Sequence, residues 1–123
     1  RSTPSDPATP PAPRARDPPY AGGMLVAFSV APSAPDHYGS YSRAIADVVR
    51  LVRASGLPQR TDSMFTTIEG EWDECMAVVK GAVDLLLEHS PRVSLVLKAD
   101  IRPGHTGELD GKVNRIEAVL SEG

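Results

Sequence analysis

Nine consecutive residues, Thr66-Thr67-Ile68-Glu69-Gly70-Glu71-Trp72-Asp73-Glu74, gather two hydroxyls, four carboxylates and the only tryptophan of the chain. Hydroxyls and a carboxylate at the end of an extended segment suit a heteroaromatic ligand. The carboxylate can pair with an aminopyrimidine or a cationic ring through charge-assisted hydrogen bonds, which are among the stronger polar contacts a small site makes. Glu69 is the acceptor so placed, with Thr67 and Phe65 expected on its side of the strand. Glu71, Asp73 and Glu74 fall in the first turn of a helix, where negative charge suits the positive end of the helix dipole. Trp72 heads the apolar stripe of that helix and is a packing residue or a ligand platform. Further along, Lys98, Asp100 and Arg102 alternate on one side of a strand, as a solvated edge, a subunit contact or an anchor for phosphate.

Other chemistries lack their residues. No nucleophile triad, Walker loop or HExxH run is present, and Gly104-His105-Thr106-Gly107 is too short for a phosphate loop. His37, His89 and His105 are far apart without ligand spacing, so no metal is expected. Glu69 is a possible acid or base, but no second group stands beside it, so no catalytic residue is assigned. Cys75, the single cysteine, has no intrachain disulfide partner and reads as a buried thiol on a helix face.

The elements that must position these residues follow from hydrophobic period and breakers. Residues 1–23 carry seven of the twelve prolines and no large aliphatic side chain, a composition that predicts a disordered or polyproline-like tail. The domain proper is expected over residues 24–122. Met24–Ala31 is a nearly unbroken apolar run, hence a central strand. Tyr38–Ser55 is predicted as a helix, with Tyr41, Ile45, Val48 and Val52 on one stripe, Ser40 as a candidate N-cap, and Gly56 and Pro58 at its end. Gln59–Asp62 and Met64–Glu69 read as a hairpin with a tight Asp62-Ser63 turn. Glu71–His89 is the strongest helix, with Trp72, Cys75, Met76, Val79, Ala82, Val83 and Leu86 on one face. Arg92–Arg102 alternates as a long strand. Glu108–Leu120 closes the chain as a helix whose Leu109, Val113, Ile116 and Leu120 form a narrow seam.

The order β-α-β-β-α-β plus a terminal helix predicts an α+β, ferredoxin-like fold with a four-stranded antiparallel sheet. Two helices would cover one face. The other, apolar along its first strand, needs a cover, which a second copy of the chain supplies most simply. A homo-oligomer held in part by the terminal helix is therefore expected.

Composition bounds the function. The chain has 123 residues, one domain's worth, with a hydrophobic fraction of 41% and aromatics of only 5%, so the core is aliphatic. Outside the tail there are 10 basic and 14 acidic side chains, which argues against nucleic acid as a partner. No apolar run approaches a membrane span, and no signal-peptide profile opens the chain, so a cytosolic protein is expected.

Met24–Pro32 (MLVAFSVAP), Ser55–Pro58 (SGLP), Thr66–Met76 (TTIEGEWDECM) and Leu109-x-Gly111-Lys112-Val113 resemble the thiamine-binding protein family. The resemblance covers nearly all of residues 24–121. It implies the ferredoxin-like fold with an added helix, assembly as a homodimer or homotetramer, and binding of thiamine or its hydroxymethylpyrimidine moiety without catalysis or a further cofactor. Matching positions are Ser29, Ser40, Ser42, Thr66, Thr67, Glu69, Lys98 and Asp100. In the site this implies, Glu69 accepts from the ring amino group, Thr67 and Ser29 orient the ring, Phe28 or Trp72 stacks on it, and Asp100 opposes the thiazolium charge. Ala44 and Phe65 depart from the family pattern, where Tyr and Gly are common, and reshape the pocket. Two other readings stand beside this one: an interaction module without a small ligand, and a small enzyme acting on a thiamine precursor.

Overall fold

The computed structural model describes residues 23–35 and 39–122. The expected disordered tail and the expected helix start at Tyr38 therefore lie outside the described residues, Gly23 excepted. The elements are β1 (Met24–Pro32), α1 (Ser42–Ala54), β2 (Gln59–Thr61), β3 (Thr66–Gly70), α2 (Trp72–Leu87), β4 (Val93–Ile101) and α3 (Glu108–Glu122). They form one antiparallel sheet of order β2-β3-β1-β4, the arrangement expected for the split βαβ unit.

β1 is central because it is apolar on both sides. Its even residues Met24, Val26, Phe28 and Val30 are buried. They pack with Ile68 of β3, Val48 and Val52 of α1, and Cys75, Val78, Val79, Ala82 and Leu86 of α2. Its odd residues, Leu25, Ala27 and Ser29, are only half-buried and belong to the opposite face. The register places Thr67 and Glu69 of β3, and Val96, Lys98 and Asp100 of β4, on that same face.

Two glycines shape the connections. Gly56 follows α1 with φ +79, the left-handed conformation that ends helices. Gly70 makes the corner between β3 and α2 for a different reason. A Cβ there would lie 3.1 Å from Glu74 Oε1 and 3.3 Å from Leu57 Cδ2, so a side chain at the corner would push both neighbours aside by a few tenths of an ångström. The helix then starts with a reciprocal capping box, in which Glu74 Oε1 accepts from the Glu71 N–H at 3.0 Å.

Some boundaries differ from the sequence reading. α1 begins at Ser42, with Tyr41 as N-cap, and Ser40 Oγ accepts from the Ser42 N–H at 3.0 Å instead of capping the helix. The hairpin connection has four residues, Asp62–Phe65, instead of a two-residue turn. Asp62 Oδ1 accepts from the N–H groups of Met64 (2.8 Å) and Phe65 (2.9 Å), and the Asp62 N–H donates to Phe65 O (2.9 Å). This side-chain-closed turn moves the register so that Thr61 faces Thr66.

Candidate functional site

The residues singled out from the sequence separate into three places. Strand alternation is the cause, because neighbours along a strand point to opposite faces.

The first place is a cavity of about 180 Å³ between α1 and the β2–β3 hairpin, on the helix side of the sheet. Phe28–Val30 of β1 form one wall, Ile45, Val48 and Val49 of α1 another, and Thr61–Thr66 the third. Phe28 is 1% exposed and Thr66 8%. The Thr66 and Thr61 hydroxyls are 3.1 Å apart and hydrogen-bonded to one another. Each hydroxyl retains capacity for a second bond, since an O–H offers one donor and two acceptor sites. Aliphatic and aromatic side chains interspersed with hydroxyls and one carboxylate give the mixed lining from which small-ligand sites are built. The cavity's size compares with the ~150 Å³ cavity known to take a benzene ring, so it holds one six-membered ring. Thr61, Asp62 and the α1 side chains escaped sequence reasoning. The signal was the turn-forming Asp62, which fixes the hairpin register.

The second place is the junction of β3 with α3. Glu69 is 5% exposed, and each of its oxygens takes a backbone donor. Its Oε2 accepts from the Glu108 N–H at 2.8 Å and its Oε1 from the Leu109 N–H at 3.1 Å. The side chain thus caps the N-terminus of α3 from another element, satisfying donors that a helix start leaves unpaired. Nearby, Lys112 Nζ donates to Asp100 Oδ2, Arg60 to Asp110, and Arg115 to Glu108 Oε2 at 2.6 Å. Arg102 lies 3.8 Å from Glu108 Oε1. The Lys112 hydrogen bond holds the Asp100 carboxyl below its ordinary value, helped by the charges of Lys112, Arg102 and Lys98. The Arg115 hydrogen bond does the same for Glu108. Each oxygen of Glu69 thus holds one backbone donor of α3, and the carboxylate keeps acceptor capacity on the side of the cleft that it also lines.

A separate cleft of about 480 Å³ borders this junction, lined by Leu57, Pro58 and Leu109 with Glu69, Glu71, Glu74 and Asp110. Among the described residues no group of three or more His, Cys, Asp or Glu side chains is placed to hold a metal ion.

The third place is the open sheet face, where Ser29, Thr67 and Lys98 lie in neighbouring rows through Ala27. Thr67 and Lys98 do not meet Phe28 and Thr66, which point to the other side, whereas Ser29, between Phe28 and Val30, also borders the helix-side cavity. Phe65, expected beside Glu69, lies in the hairpin connection and lines the helix-side cavity. Trp72 belongs to none of the three places. It opens α2 and is 36% exposed, because the buried stripe of the helix runs from Cys75 through Val78, Val79 and Ala82 to Leu86. Cys75 is fully buried, and burial pushes its thiol up to about 11, which makes it an unreactive core group.

Comparison with known proteins agrees with this architecture. The family model for thiamine-binding proteins matches residues 26–117. A UPF0045 protein of Mycobacterium bovis is 46% identical over 98 residues, 79% of this chain and 94% of its own length. A domain of unknown function, DUF77, from Bacillus cereus superposes with a TM-score of 0.66 at 28% identity, over 78% of this chain and 91% of its own. A Thermotoga maritima protein provisionally described as acting in thiamine biosynthesis or salvage gives a TM-score of 0.61 at 25% identity, over 74% and 97% of the two chains. With a matching family model across most of its length and a close relative along nearly the whole of that relative, the chain belongs to the thiamine-binding protein family.

Proposed function

We propose that this protein binds thiamine or its hydroxymethylpyrimidine moiety without transforming it, and that the pyrimidine occupies the cavity between α1 and the β2–β3 hairpin. The observation that carries this reading is the Thr61–Thr66 hydroxyl pair set in a mixed wall with Phe28 and Phe65, beside Ser29, Asp62 and Ser63. Aromatic faces suit the ring, and hydroxyls suit its nitrogens and amino group. Family membership supplies the ligand class. Glu69, Thr67, Lys98 and Asp100 lie on the far side of the sheet and have no part in holding this ring. Isothermal titration with thiamine and with hydroxymethylpyrimidine tests the reading. Saturable binding is expected, and it should weaken about tenfold when Thr66→Val deletes a hydroxyl worth ~1–1.5 kcal/mol. Absence of saturable heat with both ligands at millimolar concentration overturns it.

We further infer a homo-oligomer, a dimer or a tetramer. The apolar stripe of α3, with Val113, Ile116, Val119 and Leu120 from 48% to 65% exposed, supports this, as does the partly apolar open sheet face. Light scattering on the eluting protein should give a multiple of the 13.1 kDa chain mass; the mass of one chain would refute it. No described helix is long and apolar enough to cross a membrane.

A further inference from the structure

The cavity between α1 and the hairpin has room for one ring, while thiamine carries two rings joined by a methylene bridge. A second ring must therefore stay at the mouth, where the nearest chemistry decides whether it is welcome. Among the residues lining the cavity, Asp62 is the only charged one. It is exposed, in the connection between β2 and β3. Its Oδ1 is occupied by the N–H groups of Met64 and Phe65, which fix the turn. Its Oδ2 takes no hydrogen bond from a described residue and faces no described basic partner.

We propose that Asp62 is a specificity-determining residue: its carboxylate, held at the mouth by the turn it closes, selects a ligand whose second ring is cationic over the neutral pyrimidine alone. This inference rests on the proposed function and names the feature of the ligand that the site distinguishes. One oxygen builds the wall and the other meets the charge, so position and recognition come from a single side chain. The hydrogen bonds from Phe65 and Met64 also hold the carboxyl below its ordinary value of 3.8, so it is ionised at neutral pH. An exposed ion pair is worth little, and its effect on affinity is modest and sensitive to salt.

Asp62→Asn separates the two roles, because the amide oxygen can still accept from Met64 and Phe65 while the charge is gone. Titration at low ionic strength is expected to show thiamine binding weakened about twofold to fivefold in this variant, with hydroxymethylpyrimidine binding unchanged. Added salt should shrink the difference between the two proteins. Ser63→Lys, which sets a cation beside Asp62 without removing a turn acceptor, should also weaken thiamine and spare the pyrimidine. Unchanged thiamine affinity in both variants overturns the proposal, and so does equal loss of both ligands in both variants. If wild-type protein binds neither ligand, the proposed function itself falls and this inference falls with it. Wild-type binding of both ligands with no response to either substitution leaves the function standing and removes Asp62 alone.

Discussion

The two faces of the sheet are built from the same strands and held by different forces. On one face, Val26, Phe28 and Ile68 are at most 1% exposed beneath α1 and α2. On the other, Ala27, Ser29 and Thr67 are half-buried and Lys98 is exposed. Among the described elements only α3 reaches that second face, at the end where Glu69 and Asp100 stand, and it does so through a helix cap and ion pairs. Its own apolar stripe is left exposed. Burial of apolar surface is non-directional and tolerant of salt and pH. Caps and ion pairs depend on geometry, protonation and ionic strength. The comparison therefore assigns stability to the α1/α2 face and conditional attachment to α3.

The sharpest way to break this assignment is on the buried face. Phe28→Ala should cost about 3–5 kcal/mol, the lost transfer energy plus a cavity that close packing cannot refill. Urea unfolding measures it, and a loss below ~1 kcal/mol would mean the helix side is not the stabilising side. It would also empty one wall of the proposed ligand cavity, so binding should disappear with it.

Next in size is the other face. Glu69→Ala removes a nearly buried acceptor from two backbone N–H groups and should cost about 1–3 kcal/mol. The loss should be local. Hydrogen exchange is expected to quicken in the first turn of α3 while the amides of β1 stay protected. Glu69→Gln keeps a carbonyl for one donor and should fall between. Equal quickening across the whole sheet would show that α3 is not a separable unit.

How much of this was legible in the sequence follows from the range of each interaction. Element order and the ferredoxin-like fold were legible, because hydrophobic period and breakers such as Gly56 and Pro91 act locally. The grouping of the candidate site residues was less legible. Thr66 and Thr67 are strand neighbours whose side chains face opposite sides, so Thr66 borders the helix-side cavity and Thr67 lies on the open face. The partner of Glu69 was beyond reach, since Glu108 and Leu109 are 39 and 40 residues away and nothing local marks a cap supplied across the fold. Trp72 had helical period in its favour but sits at the first position of α2, ahead of the buried stripe. The hairpin register depended on one side chain, Asp62, whose hydrogen bonds replaced a two-residue turn by a four-residue connection.

A smaller effect should come from acid. Asp100 and Glu108 both sit below their ordinary values of 3.8 and 4.5 in the folded protein. Groups shifted down contribute stability that is complete above the unfolded values and is lost as pH falls through the folded ones. Attachment of α3 should therefore be constant from neutral pH down to that range and loosen below it. Hydrogen exchange in α3 as a function of pH, corrected for intrinsic rates, checks this against β1. Loosening that begins near neutral pH would point to a group other than these two carboxylates.

The smallest expected effect separates the cap from the ion pairs around it. Arg60 pairs with Asp110 across the junction, but the two side chains are 55% and 63% exposed. Water screens such a pair, and ordering two long side chains opposes it, so Arg60→Ala should cost about 0–1 kcal/mol. Added salt should reproduce most of that loss in the wild-type protein, because the pair lies within reach of solvent ions. Glu69 should respond far less to salt, since its oxygens are nearly buried against backbone donors. If Arg60→Ala instead loosened α3 as much as Glu69→Ala, the attachment would reside in the exposed charges, and moderate salt alone would release the helix.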